Sequence, residues 1–481
     1  MNWTLVALLG YLLLQLAIGA WLAPRIHTED DYLVGGRRLG YPLTIFSIFA
    51  TWFGAESCIA SAGRAYREGF SLTTAEPFAY GVTLIAMGAI FAVPLWRRKL
   101  TTLADLFRQR YGTGVERLAA LMLLPGGLLW AAAQLRGFGH VLTTVTDLDI
   151  RLAVASAAAF CVLYTTLGGL LADAITDLIQ GAMIVLGLLL LVAVVVTDVG
   201  GVGAALATID PARIRVVGTD VAPSALAVLE EWAIPVAGSL VAVELVSRVI
   251  AARSPEVARN GALLAGGLYI TVGILPIFLG LVAGALVPSL TESEQFLPAL
   301  AREVLPAAGY VLFAGALISA ILSTVDTILL VGAGLVTHNV IAPLLRIGSD
   351  RARVRLARGG VVVLGGLALL LALRAEGVAE LVEEASSFGS AGLLVVASFA
   401  LFSRVGGPRA AAASLVGGLG TYVAATLLGW AYPFLGSLAA AVGCYLAAAA
   451  LEAAGRGGVS PRPGLSWAPR TSVPRRCRRR R

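Results

Sequence analysis

Apolar stretches of about 20 residues recur along the whole chain, and short charged segments separate them. A lipid bilayer imposes this spacing on α-helices, because a helix needs about 20 residues to cross the hydrocarbon core. Only 14% of the residues are charged and the mean hydropathy is +0.86, whereas a soluble domain carries about 25% charged residues. A soluble protein and a nucleic-acid-binding protein are therefore excluded, despite a pI near 9.5.

The apolar stretches predict about thirteen membrane-spanning helices, at residues 3–23, 41–63, 72–96, 118–145, 152–171, 174–197, 225–250, 260–287, 308–335, 356–374, 378–403, 409–431 and 434–454. Basic residues indicate the topology, because cytoplasmic loops are enriched in Lys and Arg. They gather at alternate ends of the spans, among them Arg37, Arg97, Arg248, Arg353 and Arg404. This pattern predicts a multi-pass protein of the cell inner membrane, with its N-terminus outside and its C-terminus in the cytoplasm.

The spans group into five regions. Residues 1–24 form an extra N-terminal helix, which lacks the basic first region of a signal peptide. Two blocks of five spans follow over 40–200 and 225–405, and two more helices occupy 406–455. Residues 456–481 form a basic tail that ends in four consecutive arginines. Two interpretations of this tail stay open: contact with anionic membrane lipid, and a disordered, solvated end that only reinforces the topology.

Ionisable residues inside membrane spans are costly, so each one suggests a functional site. In this chain they are Glu56, Glu76, Arg136, Asp177, Glu230, Glu231, Glu244, Asp326, Glu383 and Glu384. The second and seventh spans also contain helix-interrupting residues, namely Gly54 in one and Pro235 with Gly238 in the other. Each of these spans begins one of the five-span blocks. Interrupted helices in corresponding positions predict an inverted-repeat transporter whose unwound backbone binds ions and substrate.

The ninth span carries the hydroxyl groups of Ser319, Ser323 and Thr324, followed by Asp326. Adjacent hydroxyls with a nearby carbonyl provide hard oxygen ligands of the kind that suit a cation. Hydroxyl groups in a helix also bond to the carbonyl one turn back, which is a purely structural role. From this motif alone both interpretations stay open.

Several motifs occur in an order that is typical of one family. They are the segments Asp31–Leu39, Ala50–Glu56, Gly63–Gly69, Tyr164–Gly169, Thr176–Gly181, Ser323–Thr324 and Leu401–Ala410. On these motifs the chain resembles the sodium:solute symporter family from about Asp31 to Gly417. That family includes bacterial proline, pantothenate and galactose symporters and animal glucose and choline transporters.

The resemblance implies a LeuT-like fold, with ten core helices in two inverted repeats, one extra helix before them and two after. It also implies a sodium site made by the carbonyls of Ala50, Phe53 and Ala320 and the hydroxyls of Ser323 and Thr324. Asp177 is similar to the family's acidic residue on the cytoplasmic ion exit, although a residue that merely caps a span is the alternative. Asp326 is assigned by the same resemblance to a second sodium site.

Substrate contacts are implied at Glu56, Ser57, Glu76 and Glu383, by their similarity to positions in the sugar-transporting branch. Ser57 and Glu383 differ from the glutamines of that branch, which argues against a sugar. Trp52 and Trp130 resemble the choline branch instead, where aromatic rings surround a quaternary ammonium. No Trp stands in the matching part of core helix six, where Glu244 lies.

Three of these candidates, Glu56, Glu76 and Glu244, favour a positively charged substrate, unless they pair with Arg136. We therefore expect a symporter that imports a small organic solute, an amino acid or an organic cation, by alternating access with Na+ as its coupling ion. We expect no enzymatic activity, because the sequence shows no nucleophile–base or metal-ligand constellation. A transporter-like membrane sensor and a proton-coupled permease are the alternatives, and the substrate, sodium stoichiometry and oligomeric state stay open.

Overall fold

The structure is a computed structural model that describes residues 3–71, 76–146, 148–215, 224–287, 290, 293–375 and 377–456. The arginine-rich end of the chain lies outside the described residues. Within them, ten helices are long and apolar enough to cross a membrane, or up to thirteen if each of three bent helix pairs is one span. The predicted number of spans agrees with the upper value, and the orientation in the membrane stays a prediction.

The first half of the described chain is almost entirely helical. Its helices are α1 (Trp3–Leu22), α2 (Glu29–Val34), α3 (Tyr41–Trp52), α4 (Ser61–Glu68), α5 (Phe78–Ala86), α6 (Ala92–Arg97), α7 (Leu103–Tyr111), α8 (Thr113–Val145), α9 (Ile150–Leu167), α10 (Leu170–Asp198) and α11 (Val202–Ala207). Two π-helical segments, Glu56–Ala60 and Met87–Phe91, precede α4 and α6. The strands β1 (Phe70–Ser71) and β2 (Ile214–Arg215) form a short parallel pair.

The second half continues the same pattern. It contains α12 (Ala225–Ala233), α13 (Val243–Ala251), α14 (Pro255–Val282), α15 (Phe296–Val304), α16 (Ala307–Leu335), α17 (Ala342–Leu344), α18 (Asp350–Ala372), α19 (Val378–Ser387), α20 (Ser390–Phe402), α21 (Pro408–Leu427) and α22 (Pro433–Arg456). Further π-helical segments, Ile234–Gly238 and Val336–Ile341, follow α12 and α16.

Both predicted helix interruptions are confirmed. The chain bends by 61° between Tyr41–Trp52 and Glu56–Glu68 and by 44° between Ala225–Gly238 and Val243–Ala251. A third bend, of 42° between α19 and α20, was not predicted from the sequence. It occurs at Gly389, whose φ of +71° is a left-handed conformation that glycine adopts without strain.

The first two bends depend on glycine because other groups approach the backbone closely. A Cβ atom at Gly54 would lie 2.4 Å from the amide oxygen of Gln134, and one at Gly238 would lie 2.2 Å from the carbonyl oxygen of Ser386. At Gly238 the close atom belongs to the backbone, so no methyl group fits, and at Gly54 a methyl group would displace the side chain of Gln134. Each bend is therefore fixed by a neighbouring helix, α8 in the first case and α19 in the second.

Helix α16 forms the centre of the bundle. Every residue in its most apolar 18-residue window is buried, and it packs against α3, α8 and α10. Because α16 is covered on all sides, its polar side chains must find partners within the protein. The break after α3 lies beside this helix, and this juxtaposition defines the inner part of the candidate site.

Candidate functional site

The unwound end of α3 faces the hydroxyl groups of α16. The Thr324 hydroxyl lies 2.8 Å from the carbonyl oxygen of Thr51 and 3.1 Å from that of Ala320. The last carbonyls of a helix have no partner within that helix, so the end of α3 exposes acceptors toward α16. The structure thus brings together the segments that hold the five predicted sodium ligands, Ala50, Phe53, Ala320, Ser323 and Thr324, all of them buried.

Asp177 on α10 closes the other side of this region. Its carboxylate accepts hydrogen bonds from Ser47 and Ser323, each at 2.5 Å. Asp177 is fully buried, which argues against the alternative that it merely caps a span near the surface. Because Ser323 is also a predicted sodium ligand, Asp177 is in direct contact with the predicted ion site.

Asp177 belongs to a larger group, here called the aspartate cluster, made by Asp173, Asp177, Arg248 and Thr327. The Arg248 guanidinium donates to Asp173 at 2.5 Å and to Asp177 at 3.2 Å. It also contacts the hydroxyls of Thr51, at 3.3 Å, and Thr327. One arginine therefore links α3, α10, α13 and α16.

This position of Arg248 corrects the sequence-based topology, which counted it among cytoplasmic basic residues. The side chain is fully buried and neutralises carboxylates inside the protein. Asp173 was missed altogether, because the sixth span was predicted to begin at residue 174. Its spacing of four residues from Asp177 was the available signal, since residues i and i+4 share one face of a helix.

Asp326, predicted to bind a second sodium, lies beside this cluster on α16. It is 2% exposed, and one of its oxygens accepts the backbone N–H of Thr327 at 2.8 Å. The other oxygen is buried and has no partner among the described residues. The structure leaves the predicted role of Asp326 in ion binding untested.

The donor set around the α3 break fits a monovalent cation. It consists of backbone carbonyls and hydroxyl groups, which are hard oxygen ligands, and a carboxylate stands directly behind them. Ala50, Phe53, Ala320, Ser323 and Thr324 would hold sodium there, and Asp177 would supply negative charge behind Ser323. A bound ion would link α3 to α16 and so order the unwound segment.

A cavity of about 410 Å³, here called the outer cavity, lies on the far side of the α3 break. Among the described residues, five glutamates and one arginine line it: Glu56, Glu76, Glu230, Glu231, Glu383 and Arg64. Three of the predicted substrate contacts, Glu56, Glu76 and Glu383, are therefore brought together by the fold. Carboxylates therefore outnumber the basic group in this described lining.

Glu56 and Glu76 are held in different ways. The Gln134 side chain accepts the N–H of Ala55 at 2.7 Å and donates to Glu56 at 2.5 Å, so it clamps the helix break. The second carboxylate oxygen of Glu56 is buried and has no partner among the described residues. Glu76 accepts hydrogen bonds from Ser57, at 2.9 Å, and Tyr269, at 2.8 Å. Ser57 therefore lies behind Glu76.

Glu230 has a structural role in this wall. Its two oxygens accept the backbone N–H groups of Phe434, at 2.6 Å, and Leu435, at 2.8 Å. These donors belong to the first turn of α22, where a carboxylate is favourable because the helix dipole is positive there. Glu230 thus fixes α22 against α12.

The aromatic candidates form the inner wall. Trp52 packs against Trp130 and Tyr80, with ring centroids 5.5 Å and 5.8 Å away. Trp130 and Glu244 line a separate cavity of about 50 Å³. The Tyr80 hydroxyl, 3.0 Å from that of Ser386, lies between the two cavities. The predicted substrate residues are therefore divided, with three in the outer cavity and Trp130 and Glu244 in the inner one.

Tyr80, Arg64, Gln134 and Tyr269 were not selected from the sequence. Arg64 lies just beyond a predicted span end, where a charge is common, and Tyr80, Gln134 and Tyr269 are uncharged residues within predicted spans, so none of them was selected by the search for buried charges. Only their convergence on the α3 break gives them a role at the site.

Broken helices that bring an unwound segment, buried hydroxyls and an acidic cavity together define a secondary membrane transporter. The model described as the sodium:solute symporter family matches residues 32–418. The chain belongs to the sodium:solute symporter family, and it is a multi-pass membrane transporter of the cell membrane, not an enzyme.

Curated relatives include choline transporters and pantothenate symporters. The chain is 26% identical to high-affinity choline transporter 1 of Torpedo marmorata over 406 residues, which are 78% of this chain and 68% of that protein. It is 33% identical over 192 residues to the human high affinity choline transporter 1, covering 38% of this chain and 33% of the relative. The sodium/pantothenate symporter of Escherichia coli K12 is 26% identical over 441 residues, covering 88% and 90%.

Two solved structures share the fold. A substrate-bound, outward-open Na+-coupled sialic acid symporter superposes with a TM-score of 0.81 at 18% identity, over 93% of this chain and 98% of the other. The nucleobase-cation-symport-1 family transporter Mhp1, in a closed conformation, gives a TM-score of 0.59 at 16% identity, over 89% and 96%. At these identities the likeness establishes the fold alone. It confirms the predicted LeuT-like fold class, and the number of helices and their division into two repeats stay predictions.

Proposed function

We propose that this protein imports a small solute bearing an ammonium group, together with sodium, by alternating access. Family membership supports the sodium-coupled symport of a small organic solute. The charge of the outer cavity supports the ammonium group, which amino acids and organic cations share. The two choline transporters among the relatives are consistent with this substrate class.

The unpartnered oxygen of Glu56 is the main observation in support of an ammonium-bearing substrate. This side chain is 3% exposed and lines the outer cavity. A buried carboxylate oxygen without a donor is unfavourable, because its lost hydration is not replaced. A primary or secondary ammonium group in the cavity would supply that donor through its N–H, with Glu76 beside it as a second carboxylate. A quaternary ammonium has no N–H and would interact with the two carboxylates through its charge alone.

Sodium coupling follows from the position of the proposed ion site. A sodium ion held by Ala50, Phe53 and the hydroxyls of α16 would order the same helix break that carries Glu56. Ordering by one ligand favours the other, and the coupling is reciprocal. Each sodium moving inward also gains about 2.3 kcal/mol per 100 mV of membrane potential.

The test is solute accumulation by the purified protein in proteoliposomes. An inward sodium gradient should drive uptake above equilibrium, and a potassium gradient of equal size should not. A sodium titration of tryptophan fluorescence gives a second readout, since Trp52 and Trp130 lie beside the α3 break. Equilibration without accumulation would contradict coupled transport, and accumulation that follows a proton gradient alone would contradict sodium as the coupling ion.

A further inference from the structure

Arg64 is the one basic residue in the described lining of the outer cavity. It lies on α4, in the same helical run as Glu56, and both side chains face the cavity. Arg67, one turn further on, instead forms a salt bridge of 2.6 Å with Glu68 and is exposed. Within the described residues Arg64 has no salt bridge. The two arginines of α4 therefore differ in both position and pairing.

The geometry places the Arg64 guanidinium near the carboxylates. Eight residues of helix separate the Cα atoms of Glu56 and Arg64 by about 12 Å. Helical side chains lean toward the N-terminus of their helix, which for Arg64 is the side on which Glu56 lies, and both residues line the same cavity. Arg64 also interacts electrostatically with Glu76. The cavity thus presents negative charge at one point and a positive, planar hydrogen-bond donor within the length of a small molecule.

An arginine in a substrate cavity is unfavourable for a solute that is only cationic, because like charges repel. A guanidinium binds a carboxylate through two parallel hydrogen bonds, a geometry that lysine cannot reproduce. The neighbouring Glu56 and Glu76 then bind the opposite end of the same solute. A volume of about 410 Å³ lies in the range of about 300–1,000 Å³ that is common for small-molecule sites.

We infer that the solute is a zwitterion, an amino acid or a betaine, whose ammonium group binds Glu56 and Glu76 and whose carboxylate binds Arg64. This inference rests on the proposed function, and it narrows the substrate class from ammonium-bearing solutes to those that also carry a carboxylate. An organic cation without a carboxylate binds more weakly, because Arg64 then faces positive charge.

The experiment measures sodium-dependent binding of matched solute pairs that differ by a carboxylate. The pairs are glycine betaine with choline, lysine with cadaverine, and proline with pyrrolidine. Binding is measured by tryptophan fluorescence and by thermal stabilisation of the full chain in detergent, in sodium and in potassium. The carboxylated member of at least one pair should bind about tenfold more tightly or better, the size of one charge-assisted hydrogen-bonded contact.

Arg64→Gln should remove the preference for the carboxylated member of a solute pair, and Arg67→Gln should keep that preference. Arg67→Gln is the matched control, because it removes a guanidinium from the same helix without touching the cavity. If Arg64→Gln fails to fold, Arg64→Lys serves instead and should reduce the preference without abolishing it.

The outcomes separate the two proposals. Sodium-dependent binding of choline, cadaverine or pyrrolidine at equal or higher affinity than its carboxylated partner overturns the zwitterion and leaves the proposed function standing. A preference for the carboxylated member that survives Arg64→Gln also overturns it. If no member of any pair binds in either salt, both the zwitterion and the ammonium-bearing substrate class are rejected.

Discussion

The aspartate cluster and the outer cavity both place carboxylates inside the membrane protein, and they lie on opposite sides of the α3 break. In the cluster, Asp177 has donors on both oxygens and Arg248 lies between it and Asp173. In the outer cavity, Glu56 has one oxygen without a partner, and Glu383 is exposed. The protein thus satisfies both oxygens of Asp177, whereas one oxygen of Asp173, beside Arg248, and one oxygen of Glu56, in the wall of the outer cavity, have no partner among the described residues.

This difference predicts that the two regions affect different properties of the protein, its free energy of unfolding in one case and its affinity for solute in the other. A carboxylate whose partners belong to the fold contributes to holding helices together, and removing its partner destabilises the protein. A carboxylate with an open oxygen contributes little to stability and is available to a solute. Substitutions in the two regions should therefore affect different measurements.

The largest effect is expected for Arg248→Met. Removing the guanidinium leaves Asp173 and Asp177 buried without their cation, which should lower the free energy of unfolding by about 3–5 kcal/mol. Chemical unfolding in detergent measures this free energy, and Arg253→Met is the control, because Arg253 is exposed. The double variant Arg248→Met with Asp173→Asn should recover part of the loss. An Arg248→Met protein as stable as wild type would remove the distinction between the two regions.

Glu76→Gln should weaken solute binding and lower stability only slightly, because the glutamine amide oxygen still accepts from Ser57 and Tyr269. A hydrogen bond to a charged group is worth about 1.5–3 kcal/mol, so the solute concentration for half-maximal uptake should rise about tenfold to hundredfold. Sodium binding measured without solute should change far less. Glu384→Gln is the control, because Glu384 is exposed and does not line the cavity. Equal losses of solute affinity in Glu76→Gln and Glu384→Gln would indicate a general effect of removing negative charge.

Thr324→Ala tests the proposed sodium site, which lies between the aspartate cluster and the outer cavity. Loss of the hydroxyl should raise the sodium concentration for half-maximal fluorescence change by about three- to tenfold, since a neutral hydrogen-bonding group contributes about 0.5–1.5 kcal/mol. Membrane insertion should be intact, and Thr324→Ser should restore the sodium response. An unchanged sodium dependence in Thr324→Ala would reject the proposed ion site.

The smallest effect is expected at Glu29, near the predicted cytoplasmic surface, where polar groups are paired but partly hydrated. Glu29 contacts His338 at 3.0 Å and Arg353 at 2.7 Å. Burial alone raises the pKa of Glu29, but the hydrogen bonds with His338 and Arg353 outweigh it and hold the pKa below its ordinary value of 4.5.

Because the pKa is lower in the folded protein, the ionised form stabilises it above pH 4.5, and this stabilisation is lost as the pH falls through the lowered value. Glu29→Gln should therefore be less stable than wild type by about 1 kcal/mol at neutral pH. Melting curves of both proteins should converge at acid pH. A constant difference at all pH values would show that the carboxylate charge is not the cause.

Periodicity and composition predicted most of the helices because long apolar runs need no tertiary information to be recognised. Two of the three bends were also visible, at Gly54 and at Pro235 with Gly238. The bend at Gly389 was not, since it lies in an apolar segment in which glycine is common. The partition into two repeats and the site assignments stay predictions.

The candidate site was less predictable. Asp177, Glu56 and Glu76 were found because a charge inside a span is conspicuous. Asp173 falls between two predicted spans, and Arg248 lies near the end of one and was counted among the cytoplasmic basic residues, because a charge near a span end is ordinary. Gln134 and Arg64 carry no signal in the sequence, because their importance depends on which helix they face.

The sequence by itself determined that this chain crosses a membrane many times, that two of its helices are interrupted, and that it resembles sodium:solute symporters. These properties depend on local composition and on ordered motifs. Only the tertiary structure decided which charges are neutralised and which are open, because a buried carboxylate is satisfied by groups from distant helices. Asp177 finds Ser47, Arg248 and Ser323 on three other helices, and no spacing along the chain specifies that meeting.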